Sequence, residues 1–322
     1  MIYISEINKE EDFLTEKQIK YPKILRKIIY FTKVKFKKIN SKFVENNEII
    51  YISNDSKEKV IEYLIKKNER TVCLSSYLAE KNDVLKILED NNIKILNGRW
   101  LFKYIAIKII EYVLLEQNKK INQEEIAIVT NDTDDVIIET ILELAKSAKI
   151  IHIITDERNK FENKANKLYD EFGIMINVSN NYRKSLSKVN TIINYNFSEE
   201  ELNKYSIPKY AVIINMKEKV TIHSKSFEGL NINYYQIFMP KNYIKYMKYF
   251  QNFDQTILYE SYIYRKDTYK NIIKKLEEDK IKICTLVGNK GNIKKYEYDR
   301  LNKNMLNNQR KIVENPDKNV IF

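Results

Sequence analysis

The residues best placed to do chemistry fall between positions 130 and 158, with two more near position 195. Residues 130–136 read TNDTDDV and place Asp132, Asp134 and Asp135 in one short turn after Thr130 and Asn131. Asp156 and Arg158 follow about 20 residues on, and Asn194 and Asn196 lie in TIINYNF. A turn at the start of a helix binds phosphate through backbone N–H groups, and glycine there lets the chain approach a diphosphate closely. No residue from 126 to 148 is glycine, and carboxylates in the turn would repel an unassisted diphosphate. A single carboxylate at a helix start is an ordinary cap, a task suited to Asp134 or Thr133. Asp156 stands where an acid hydrogen-bonds a ribose, and Arg158 where a cation favours a 2′-phosphate. An acid at a strand end also begins a turn without any ligand.

Other reactive side chains are sparse. His152 and His223 are too few and too separated for a zinc site, and His152 sits in an apolar run that predicts a hydrogen-bonded core histidine. Cys73 in TVCLS and Cys284 in IKICTLV are expected to be buried as small hydrophobes, not paired, nucleophilic or metal-bound. Asp132-x-Asp134-x-Val136 after an apolar run resembles the first motif of haloacid-dehalogenase-like phosphatases. Their later acidic pair has no counterpart, because the corresponding strand here runs into NYNF.

The elements that must hold these residues are read from apolar spacing. Residues 126–129 form an apolar run before the turn. Val136, Ile137, Ile141, Leu142, Leu144, Ala145 and Ala148 recur at helical spacing, and residues 150–154 form a second run ending on Asp156. Strand, turn, helix, strand and a terminal acid make the opening unit of a dinucleotide-binding domain. A helix over 160–172 closes on Gly173. Further strands are predicted at 174–178, 191–195, 210–215 and 233–238, with short helices near 182–187 and after Ser198. Upstream, strands at 49–52, 71–75 and 93–96 alternate with helices at 56–67, capped by Asp55 or Ser56, and at 82–91. Such alternation implies parallel pairing. Residues 24–36 carry strand-like alternation near their end, residues 100–117 form one long helix, and residues 118–123 a polar linker. Residues 243–280 are largely helical, with an aromatic stripe at Tyr246, Tyr249, Phe250, Phe253 and Tyr262 assigned to core packing.

The fold class expected is α/β. It comprises a small N-terminal α/β domain (1–98), a connecting helix and linker (99–123), a Rossmann-like parallel sheet domain (124–240), and a C-terminal helical region with a basic tail (241–322). The 322 residues carry a formal charge of +12, with 43% hydrophobic and 31% charged residues, the balance of a globular chain. No apolar run nears the ~20 residues that span a bilayer, and MIYISEINKEEDF has acids where a secretory signal would be basic and then apolar. A cytoplasmic protein without a membrane partner is expected. Basic residues are spread through every segment and mixed with acids, as compositional bias produces; a polyanion-binding surface is the alternative.

The order of small α/β domain, long helix, dinucleotide-type domain and returning helices resembles the shikimate dehydrogenase and glutamyl-tRNA reductase type of two-domain dehydrogenase. KIIHIITDERNKFENKANKLYDEFG (149–173) is similar to that family's second strand, cofactor-selecting loop and following helix, and SKVNTIINYNF (187–197) to the strand beside its nicotinamide site. The resemblance covers roughly residues 49–240 and implies NAD(P) as cofactor. TNDTDDV replaces the family's glycine-rich turn, and Asn97-Gly98-Arg99 stands where shikimate dehydrogenases carry Asn-Thr-Asp, so no catalytic residue transfers. The expectation is a degenerate Rossmann-like protein that binds a small molecule or a protein partner in the cleft between domains, with dehydrogenase activity weak or lost. Thr130, Asn131, Asp132, Asp156, Asn194 and Asn196 would line the site, with Arg158 beside a cofactor. The alternatives are an NAD(P)-dependent oxidoreductase and a nucleic-acid-associated basic protein using the tail.

Overall fold

Met1–Trp100 with Met239–Lys266 form one unit of the computed structural model, and Leu101–Phe238 with Asp267–Phe322 form the other. The structure describes residues 1–6, 20–22, 25, 35–41, 44–52, 57–244, 247, 250–264 and 268–314. The caps proposed at Asp55 and Ser56, most of the 24–36 segment, Tyr246, Tyr249 and the last eight residues lie outside them. The first unit begins with β1 (Ile2–Glu6), β2 (Lys35–Ser41), β3 (Val44–Ile52), α1 (Lys57–Lys66), β4 (Thr71–Leu74), α2 (Asn82–Asp90) and β5 (Lys94–Leu96). Then come α3 (Arg99–Tyr104), α4 (Ala106–Glu116), β6 (Glu125–Val129), α5 (Asp135–Ala145), β7 (Ile150–Ile154), α6 (Arg158–Phe172) and β8 (Met175–Ser179). They are followed by β9 (Thr191–Asn194), α7 (Glu199–Leu202), β10 (Val212–Asn215) and β11 (Leu230–Phe238). The chain ends through α8 (Lys241–Ile244), α9 (Gln255–Ile263), α10 (Tyr269–Glu278), β12 (Lys282–Gly288), β13 (Gly291–Asn292) and α11 (Lys295–Glu314).

The first unit holds a sheet of order β2-β3-β1-β4-β5. All neighbours are parallel except the β2–β3 hairpin. β1 lies at its centre, a position the sequence pattern leaves unassigned. A strand covered on both faces is apolar throughout and shows no alternation, and IYIS is too short a run to stand out. Val60, Ile61 and Leu64 of α1 and Val84 and Leu88 of α2 close over Ile2, Ile4, Ile50, Val72 and Leu74. The returning segment is tied to β1: Tyr3 shares a 2.8 Å hydrogen bond with Ser261 and meets Phe250 and Phe253 edge-on. Glu260 of α9 is fully buried and accepts the Gly98 amide at 2.7 Å.

The second unit carries an eight-stranded sheet of order β13-β12-β11-β10-β9-β6-β7-β8. From β8 to β11 every neighbour is parallel, and β12 and β13 add an antiparallel edge. Numbered within the unit, its six parallel strands run 3-2-1-4-5-6, the order of the doubly wound Rossmann fold. β9 and β10 are buried at all four positions and β6 at all but its first residue, as strands covered on both faces must be. Each buried Ile or Val contributes about 1.5–3 kcal/mol.

Three local expectations are corrected. Residues 100–117 form two helices with a break at Ile105 (φ −96°, ψ 16°). The buried residues Leu101, Ile105, Ile109 and Val113 recur every four positions. Such a stripe drifts on an ideal 3.6-residue helix, and the departure at Ile105 lets both halves keep it inward. Residues 182–187 form turns and no helix. Cys284 is exposed while Cys73 is buried: Cys284 falls at the register shift where β12 passes from Ile237↔Ile283 to Gln236↔Thr285, a bulge that leaves it out of the ladder. His152 does make the expected hydrogen bond, to Glu125 Oε2 at 3.2 Å, and Gly173 ends α6 in the left-handed region (φ 66°). No helix among the described residues is long and apolar enough to cross a membrane.

Burial first, then the Glu260 and Asp254 carboxylates, push the Cys73 thiol well up, so both access and thiolate formation are suppressed there. A disulfide-exchange reagent should therefore titrate one thiol in the native protein and two after denaturation. Two fast-reacting thiols in the native state would contradict this packing.

Candidate functional site

In an open α/β sheet a ligand crevice forms at the carboxyl ends of the strands where the strand order reverses. Here that point lies between β6 and β9. Beyond the ends of β6, β7 and β9, hydrogen bonds knit three loops together. Asn196, after β9, accepts the Asn131 amide at 3.1 Å and donates to Asp132 Oδ2 at 2.7 Å. Asn131 in turn accepts the Asp156 amide at 2.9 Å and the Thr155 hydroxyl at 3.2 Å. Thr130 Oγ1 accepts the Asp132 amide at 3.0 Å. The structure thus brings Thr130, Asn131, Asp132, Asp156 and Asn196 into one network.

That network spends two of the turn's donors. The amides of Asn131 and Asp132 already point at side-chain oxygens, so they are not open to a phosphate. Asp134 occupies the N-cap of α5, as expected, but its side chain makes no cap hydrogen bond. Arg158 is not part of the cluster: it pairs with Glu162 at 3.0 Å on α6, one turn along. Among the described residues no group of three or more His, Cys, Asp or Glu side chains could hold a metal ion.

One buried residue of the adjoining core escapes sequence patterns. Tyr205 is 5% exposed and packs edge-on against Tyr182, with Phe197 beside it. Its hydroxyl has no hydrogen-bond partner among the described residues. Burial, then the nearby Asp156 carboxylate, raise the phenol well above its ordinary range, which keeps it a protonated donor. A buried hydroxyl left without a partner costs about 1–3 kcal/mol, and at a functional site an incoming ligand can answer it.

Asn194 serves elsewhere. It is the first member of a buried asparagine ladder across β9, β10 and β11. Asn194 accepts the Phe197 amide at 2.9 Å and donates to Asn215 Oδ1 at 3.1 Å. Asn215 donates to Asn231 at 2.7 Å and to Asn233 at 3.0 Å. Asn233 accepts the Val220 amide at 3.0 Å and donates to Asn289 at 2.5 Å, and Asn231 donates to the Val220 carbonyl. The sequence signal was the repeat of IIN at the ends of two strands, with NIN opening a third. Period-two alternation puts both asparagines of NIN on one face.

The loop after β10 is pinned over the same end of the sheet. Ser198 and Glu201 make a complete capping box on α7. Glu199 accepts the Thr221 amide at 2.6 Å and meets His223 at 2.8 Å, while Asn203 holds the Thr221 carbonyl at 2.8 Å. The Thr221 amide is the main influence holding the Glu199 carboxyl below the usual range; desolvation opposes it and His223 assists.

No protein-family model matches the chain, and no curated protein matches it. Among solved structures it is similar to an L-tryptophan dehydrogenase from Nostoc punctiforme (10% identity, 96% of this chain and 89% of that one, TM-score 0.33). It is also similar to a shikimate 5-dehydrogenase from Listeria monocytogenes, solved with shikimate and NAD (11% identity, 71% and 86%, TM-score 0.28). A D-mandelate dehydrogenase from Rhodotorula graminis matches at 8% identity over 70% and 76% of the two chains, with TM-score 0.31. Likenesses this distant establish neither family nor activity. The class of the second unit, a Rossmann-type doubly wound sheet, rests on its own strand order.

Two outcomes are expected. Asn215→Ala should destabilise the protein by about 2–3 kcal/mol by stranding its ladder partners, read as a lower urea midpoint at unchanged slope; Arg158→Ala should leave the midpoint almost unmoved. Because the Glu199 pKa is depressed in the folded state, its contribution is present above the unfolded pKa and is lost as pH falls through the folded one. Glu199→Gln should therefore flatten the acid limb of the stability–pH curve, and an unchanged limb would refute the pinned loop.

Proposed function

We propose that the Rossmann-type unit binds a small hydroxyl-bearing molecule without phosphate in the crevice between the ends of β6 and β9. We further propose that NAD(P)-linked dehydrogenase activity is weak or lost. The observation that carries this is the orphaned Tyr205 hydroxyl, 5% exposed and close enough to Asp156 to feel its charge. A buried donor within electrostatic reach of a strand-end carboxylate suits a ligand hydroxyl, such as those of a ribose, and Asp156 holds the strand-end position that recognises one.

Electrostatics sets the ligand's charge. Two like charges 4 Å apart repel by about 4 kcal/mol at an effective dielectric of about 20, and Asp132, Asp134 and Asp135 all flank the start of α5. A diphosphate would meet that repulsion and would also have to displace Asn196 from the Asn131 amide. The oxidoreductase alternative needs Arg158 as a phosphate grip, and Arg158 is engaged by Glu162. The two cysteines, both free, support work in a reducing compartment such as the cytoplasm.

Calorimetric titration with adenosine, NADH and NADPH tests the proposal. Adenosine should release heat that disappears in Tyr205→Phe and in Asp156→Ala, while neither dinucleotide binds at millimolar concentration. Tyr205→Phe should not lower stability, since it removes an unpaired buried hydroxyl. Micromolar binding of either dinucleotide, weakened by Arg158→Ala, would restore the oxidoreductase; no heat with adenosine would overturn the ligand class.

A further inference from the structure

The loop before β11, the β12–β13 hairpin and the first turns of α11 enclose a cavity of about 540 Å³ in the second unit. Its wall is rich in glycine, at two positions because the surrounding chain leaves no room for a side chain. Gly229, Gly288 and Gly291 all line it, three of only five glycines in the chain. A Cβ on Gly229 would fall 1.9 Å from the Ala211 carbonyl oxygen, and one on Gly288 would fall 3.0 Å from the Asn231 oxygen. Gly291 has φ +102°, with nothing within 4 Å of where a Cβ would stand, so any other residue there would be strained and would reach into open space.

Charge gives the cavity its preference. Lys290, Lys294 and Arg300 line it and make no ion pair among the described residues. Two carboxylates line it as well, and the cations outnumber them: Glu228 pairs with Lys209 at 2.8 Å, and Glu297 accepts the Lys294 amide at 3.0 Å at the start of its own helix. One side of α11 lines the same space through Tyr296, Arg300 and Asn304. Phe227 and Tyr296 supply aromatic surface, and Asn231, Asn289 and Asn292 supply amides. Cations without an ion pair are the chemistry that holds a phosphate group, and aromatic side chains stack a base.

We propose that this cavity binds a phosphate-bearing small molecule of mononucleotide size, with Lys290, Lys294 and Arg300 on the phosphate. The site is separate from the crevice at β6 and β9 and shares no residue with it. It also accounts for part of the basic excess in the C-terminal region without a nucleic-acid partner.

The test is titration of the full chain with inorganic phosphate and with AMP at low salt, followed by calorimetry and thermal shift, alongside Lys290→Ala and Arg300→Ala. Both residues are exposed, so folding should be unaffected, and a circular dichroism melt without ligand checks that. AMP should bind and raise the melting temperature, and each variant should weaken it about tenfold, the worth of one charge-assisted hydrogen bond. Competing phosphate supports the phosphate assignment, and AMP binding without detectable phosphate binding assigns the difference to the aromatic wall. Silence with both probes overturns the proposal, as does AMP binding that the variants leave intact. Tight, steeply salt-dependent binding of a single-stranded oligonucleotide with neither small probe bound would overturn it in favour of a nucleic-acid surface.

Discussion

A buried primary amide brings two donors and an acceptor into a place without bulk water, and each must find a partner within the protein. In the second sheet four such side chains, Asn194, Asn215, Asn231 and Asn233, are 8% exposed or less. They answer one another across β9, β10 and β11 and then recruit backbone from the neighbouring loops. Phe197 contributes both its amide and its carbonyl, as does Val220. The loop after β9 therefore has to lie where Asn196 can reach the β6 turn, and the loop after β10 has to fold back beside α7. At the far end Asn289 ties the hairpin into the same chain of bonds. The crevice and the cavity are both framed by loops that the ladder holds in place.

Those two places have opposite electrostatic character. Asp132, Asp134, Asp135 and Asp156 gather at the ends of β6 and β7, whereas Lys290, Lys294 and Arg300 gather around the hairpin. A formal charge of +12 describes neither. The overall excess comes from residues spread over the surface, while selection among ligands is set by a few groups within one Debye length of the bound molecule, about 10 Å at 0.1 M salt.

The parallel strands were legible in the sequence because strands covered on both faces are short unbroken apolar runs: β7 is Ile150–Ile154, as its spacing predicts. Alternation with helices made the parallel, Rossmann-like class legible, while the order of the strands is fixed only by the pairings. β1 was not legible, since a single short run with no partner helix beside it carries no period. The long helix split because a four-residue stripe and a 3.6-residue helix disagree. Thr130, Asn131, Asp132, Asp156 and Asn196 lie together because strand ends of a parallel sheet converge wherever the order reverses, which position alone makes legible. Arg158 instead pairs with Glu162, and their four-residue spacing marks that in-helix pair. Tyr205 was hidden by abundance, since in a chain rich in tyrosine nothing local separates a buried one from an exposed one, whereas the ladder left a trace in the repeated IIN and NIN at strand ends. The hairpin cavity joins residues 227–231 to 288–304, a meeting no local pattern reveals.

The ladder also has a bearing on how the strands find their alignment. TIIN, VIIN and NINYY are apolar enough that their isoleucines alone would tolerate sliding past one another. A shift of one residue turns every side chain to the opposite face, and it would drive four amides into the apolar layer while carrying isoleucines into the polar row. The asparagines thus act as the notches of a key: they add little to the gross burial, yet they reject every one-residue slip of β9, β10 and β11.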